Sequence, residues 1–169
     1  MLETIKPLLW QQFGAAIQML GNAIVACPDD VWASEDWRFD FWYNAFHTIF
    51  WLDFYSSDSR ESFKPTEPFG VTDLDPSGAL PKRVFTRTEL LAYLELARQK
   101  CRRRIHQLEP ERIFKIGSRE VEFTHLELLL YNLRHVQHHA GQLNLLLRQR
   151  TNDAPRWVAR AETGLDGSS

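Results

Sequence analysis

Apolar residues recur every three or four positions along four stretches of the chain, the period of amphipathic helices rather than strands. In the first stretch Leu8, Leu9, Phe13, Ile17 and Leu20 fall at helical spacing between about Ile5 and Val25. Pro7 sits in its first turn, where a missing N–H costs little. Cys27-Pro28-Asp29-Asp30 ends this helix, and Trp32 to Arg38 reads as a connecting segment. A second helix is predicted from an N-cap at Asp40 to about Tyr55. Nearly every position from Phe39 to Tyr55 is apolar or aromatic, which predicts a central place in the fold. The third opens with the capping box Thr86-Arg-Thr-Glu89 and carries the stripe Leu90, Leu91, Leu94, Ala97, Cys101 and Ile105 to about His106. A second box, Thr124-His-Leu-Glu127, opens the fourth, which continues to about Arg150.

The connections carry as much information as the helices. Ser56 to Phe85 holds four prolines and two glycines among many Ser, Thr and Asp. It is predicted to be a loop of about 30 residues, a length uncommon in a compact domain unless it covers a site or does other work. Glu109 to Glu122 is a polar connection around Ile116-Gly117-Ser118, with a short extended piece predicted at Glu120 to Phe123 and no strand pair expected. The tail from Thr151 to Ser169 is polar and expected to fray, with Trp157 and Val158 as candidates for docking. The pattern predicts an all-α fold: a four-helix bundle over residues 1–150, with long connections, and a polar tail over 151–169.

Composition narrows the function classes. A chain of 169 residues suits one core, and six Trp and eleven Phe make that core bulky enough to hold an apolar pocket. A net charge of -2 gives no general pull toward nucleic acid or an anionic membrane. The basic run Arg98-Gln-Lys100-Cys-Arg102-Arg103-Arg104 suits a helix C-terminus and reads as a solvated face. Cys27 and Cys101 have no CxxC spacing, so free thiols are expected. Met1 to Lys6 shows no signal-peptide pattern, and no apolar run approaches the about 18–20 residues needed to cross a bilayer, which predicts a cytoplasmic protein.

The chemistry gathers in Asn132-Leu-Arg-His135-Val-Gln-His138-His139-Ala-Gly-Gln142. His135 and His139 are an i, i+4 pair that stacks on one helix face, and two imidazoles so placed reach one ion. His135 and His138 offer the same possibility at i, i+3, whereas His138 and His139 diverge by about 100°. The third donor is expected from another helix. His47 is the one histidine of the aromatic second helix, within Trp42-Tyr-Asn-Ala-Phe-His47-Thr-Ile-Phe-Trp51. Buried imidazoles without partners each cost about 1–3 kcal/mol, and a divalent metal that accepts their lone pairs removes that cost. Gly141, mid-helix, predicts a close helix approach. His106 and His125, near helix ends, read as surface or capping residues.

His135-Val-Gln-His138-His139-Ala-Gly-Gln142, with the aromatic helix carrying His47, resembles the DinB/YfiT-like superfamily of four-helix metalloproteins, in order and spacing over about residues 1–150. The resemblance implies a bundle with a long crossover and three histidines on a divalent ion, usually zinc or nickel, with open coordination positions. The family spaces its helix-four pair HxxxH, which selects His135 and His139 over His138. Homodimers are common among its members. They include thiol-dependent transferases and isomerases using mycothiol or bacillithiol, and a similar bundle occurs in sulfoxide-forming enzymes of ergothioneine synthesis.

The expectation is therefore a metal-dependent enzyme acting on a small molecule, with a low-molecular-weight thiol or water as nucleophile. Metal-dependent hydrolysis and a non-catalytic metal- or ligand-binding bundle are the alternatives. Tyr43, Asn44, Trp51, Asn132, His138 and Gln142 are candidates for holding the ligands or lining the pocket, while Asp53 is a helper or a solvated position. No catalytic acid, base or nucleophile is singled out, and HExxH is absent.

Overall fold

In the computed structural model, which describes residues 2–33, 40–70, 72–75, 77, 80–116 and 121–167, the helical periodicity becomes four long helices. These are α1 (Leu2–Ala26), α3 (Phe41–Tyr55), α4 (Arg87–His106) and α5 (His125–Thr151), with a one-turn α2 (Asp29–Trp32) after the first. The Trp32 to Arg38 connection lies mostly outside the described residues. Thr86 forms the full capping box: its hydroxyl accepts from the Glu89 N–H while the Glu89 carboxylate accepts from the Thr86 N–H. At Thr124 only the first half forms, Thr124 Oγ1 accepting from the Glu127 N–H. Asp40 stands at the N-cap position of α3 but turns its carboxylate to the Trp42 indole N–H, 3.0 Å away, and makes no capping bond.

The chain is mostly helical. Helix α1 packs against α4 and α5, and α3 packs against the same two. Between them lie Trp10, Phe13 and Leu20 of α1, Trp42, Phe46 and Phe50 of α3, Tyr93 and Ile105 of α4, and Val136 and Leu143 of α5, all buried. Close approach occurs at Gly14, where a Cβ would lie 2.6 Å from the Ala161 Cβ. It does not occur at Gly141, whose vacant Cβ position meets nothing within 4 Å and faces open space.

The connections depart most from the sequence reading. The polar connection between α4 and α5 forms a hairpin, with β1 (Ile113–Ile116) antiparallel to β2 (Val121–Thr124) and Phe114 opposite Phe123. Each strand has only four residues, and β2 exposes both Val121 and Glu122, so alternation does not stand out. The long loop is pinned by its phenylalanines: Phe63 packs on Phe50 and Phe54, Phe69 stacks on Tyr93 at 4.2 Å, and Phe85 meets Phe46. A single 3-10 turn, Thr72–Leu74, lies within it. The tail also docks, though not through Trp157, which is 68% exposed. Ala161 N–H donates to the Gln11 carbonyl, and the Trp10 indole donates to the Thr163 carbonyl.

The basic run of α4 is not simply a solvated face. Lys100 bonds Asp53, Arg102 bonds the Gly164 and Leu165 carbonyls, and buried Arg104 pairs with Asp58. Arg103 alone of the three consecutive arginines is exposed. Cys27 and Cys101 are free and buried. No helix among the described residues is long and apolar enough to cross a membrane.

Candidate metal centre

Helix α5 presents His135 and His139 one turn apart, toward α3, because Leu128, Val136, Ala140 and Leu143 on the same side of α5 seek the core. Helix α3, apolar or aromatic at most of its positions, carries His47 to meet them. The three rings converge: centroids lie 5.3 Å apart for His47 and His135, 5.0 Å for His47 and His139, and 4.5 Å for His135 and His139. Each offers one ligand atom, and the three atoms all lie within 4.8 Å of one another. Such a group can hold one metal ion.

The far sides of the rings decide which nitrogen is free. His47 Nδ1 lies 2.7 Å from Asp73 Oδ2, and His139 Nδ1 lies 2.7 Å from Gln142 Oε1. Both partners are acceptors, so the proton sits on Nδ1 in each ring and the Nε2 lone pair is left to donate. His135 Nδ1 is buried with no hydrogen-bond partner. A ring so placed has an unmet polar atom, and a lone pair taken up by an ion reduces that deficit. The donor set therefore fits a divalent ion. Burial, followed by the neighbouring histidines, lowers His135 to about 3; burial and then His47 lower His139 to about 4. Both are neutral near pH 7 and keep a lone pair available.

This stretch of sequence is also what a family model recognises: the DinB superfamily model matches residues 12–143, spanning all three histidines. The chain belongs to the DinB superfamily. No curated protein and no solved structure gives a match. In this DinB chain, the three histidines predicted as ligands are the three that the fold brings together.

The other predicted residues divide. Gln142 holds His139, and Asn44 Nδ2 reaches the same Gln142 oxygen at 3.4 Å. Tyr43 donates to Asp73 Oδ1 at 3.3 Å, and Trp51 stands with its ring 6.2 Å from His47 and stacked on Tyr55. His138 is exposed, its ring 5.1 Å from that of His139. Asn132 goes elsewhere: its amide donates to the Leu52 carbonyl of α3, deep in the core. Asp53 is neither solvated nor at the histidines. It is buried, with Lys100 at 2.5 Å and Tyr93 at 2.9 Å, tying α3 to α4. His106 is exposed as expected, whereas His125 is buried, with the Arg104 guanidinium against its ring.

Asp73 is the residue sequence reasoning does not single out. It lies 26 positions from His47, in a loop without periodicity. The one sequence signal for it is the unusual length of that loop.

Proposed function

We propose that this DinB chain is a metal-dependent enzyme on a four-helix bundle with long crossovers, in which His47, His135 and His139 hold zinc or nickel and a low-molecular-weight thiol is the nucleophile delivered to a small electrophile. The observation that supports it most is the convergence of three imidazoles whose outer nitrogens are held by Asp73 and Gln142 in two cases. When bound, a divalent ion with three uncharged donors keeps its full positive charge and lowers the pKa of a thiol or water that reaches it.

What the chain itself contributes is orientation and shelter. Asp73 and Gln142 hold protons on Nδ1 of His47 and His139 and so aim the opposite nitrogens inward. Phe63 and Phe69 fasten the long loop to α3 and α4. A cavity of about 630 Å³ between α1 and α5 reaches the centre only at His135, with Ala15, Tyr131, Arg134, His138 and Trp157 on its walls, and offers room for a small molecule beside that ligand.

Elemental analysis of untagged protein, without added metal, tests this reading. About one divalent ion per chain is expected, lost in His47→Ala and in His139→Ala and retained in His125→Ala. Thiol addition to an electrophile should then stop on chelation and return with the ion. A native protein that carries no metal and cannot be reconstituted would sink the proposal; equal rates before and after chelation would remove the thiol-transfer part alone.

A further inference from the structure

The long loop sends one carboxylate into the protein, and its surroundings are unusual. The Asp73 side chain is only 2% exposed. Among the described residues it receives two donors, His47 Nδ1 at 2.7 Å and the Tyr43 hydroxyl at 3.3 Å, and no lysine or arginine pairs with it. Buried carboxylates are ordinarily matched by a cation because neutral donors only partly replace lost hydration. The buried acid of α3, Asp53, follows that rule, with Lys100 on one oxygen and Tyr93 on the other. At Asp73 the matching position is taken by an imidazole whose opposite side faces two more imidazoles.

We infer that Asp73 is a positioning residue of the metal centre, and that the cation its charge answers to is the ion held by His47, His135 and His139. The inference rests on the metal-binding reading above and deepens it. Asp73 acts through His47: it keeps the proton on Nδ1, sets the plane of the ring and raises the donor strength of the opposite nitrogen. Gln142 does the same for His139 with a neutral oxygen. The support is thus graded, a carboxylate standing behind His47 and an amide oxygen behind His139.

A second consequence concerns the loop. Asp73 sits in the Thr72–Leu74 turn, so the bond to His47 joins this turn to the ligand set. Linkage is reciprocal: if the turn strengthens ion binding, the ion stabilises the turn by the same factor. Metal occupancy and the placement of the loop between α3 and α4 are then one equilibrium.

The test uses full-length protein stripped of metal and titrated with zinc against a competing chelator. Wild type is expected to bind one ion. Asp73→Ala should bind 10- to 100-fold more weakly, in the range seen when a ligand's outer partner is removed. Asp73→Asn, which keeps the volume and an acceptor oxygen, should recover part of the loss. Asp75→Ala, an exposed acid of the same loop, should match wild type. Amide exchange across Thr72–Leu74 should slow on zinc loading in wild type and not in Asp73→Ala. Circular dichroism of the stripped variants separates a folding defect from a binding defect, and Asp73→Asn carries the comparison should the alanine variant fail to fold. Wild-type affinity in both Asp73 variants would overturn the inference while leaving the metal centre standing. A wild type that binds no zinc would instead remove the centre, and the role of Asp73 with it.

Discussion

His125 shows how one side chain can look peripheral and be central. It is the first residue of α5, yet it is 1% exposed, with the Arg104 guanidinium against its ring and Phe114 beside it. Burial, and then the neighbouring Arg104, hold its pKa well below the usual imidazole range, at about 4. The folded state therefore resists a proton that the unfolded chain accepts. The resulting stability is fully present above about pH 6.5 and is lost as pH falls toward 4. His125→Gln keeps an acceptor for Arg104 but cannot titrate. Metal-free wild type should thus lose more thermal stability between pH 7 and pH 4.5 than His125→Gln does. Equal losses measured by circular dichroism melts would contradict the burial argument. Of the side chains at the candidate site, the three histidines were legible because helical spacing places two of them and an apolar helix makes the third conspicuous. Asp73 was not, since its partner is 26 residues away and a loop has no period to read.

At the scale of elements, caps and periodicity were enough to locate all four long helices. The Thr86 box forms as written, and α3 runs from just after Asp40 to Tyr55. The misreadings came where an element is short or its partner remote. The hairpin of β1 and β2 has four-residue strands, too brief for alternation to stand out. Gly141 suggested a close helix neighbour, but on α5 it faces open space. That difference can be measured. Gly141→Ala should stabilise the protein by about 0.5–1 kcal/mol, the helix-propensity gain, because the new methyl meets nothing. Chemical denaturation would show it as a higher midpoint at unchanged slope, whereas a destabilised variant would mean that some surface does close on α5 there.

For the whole molecule, the tail changes the picture most. Residues after Thr151 run back along α1 and α4 rather than fraying. The seat is Gly14, where a methyl would come within 2.6 Å of the Ala161 Cβ. Gly14→Ala should therefore reverse the effect of Gly141→Ala, costing about 1–3 kcal/mol by overpacking. It should also loosen the Trp10–Thr163 bond and speed trypsin cleavage at exposed Arg160. A gain in stability, as propensity alone would give, would show that the tail yields without cost.

The sequence by itself determined the helices, the histidine pair of α5, the family signature and the absence of a membrane-spanning helix, because these depend on residues within a turn or two of each other. Only the tertiary structure decided that His47 meets that pair, that Asp73 stands behind His47, that Asp53 answers Lys100 rather than solvent, and that the tail is seated on Gly14. Each of these joins positions far apart along the chain. Local pattern carries no record of such pairings; burial of the aromatic faces of α1, α3, α4 and α5 against one another creates them.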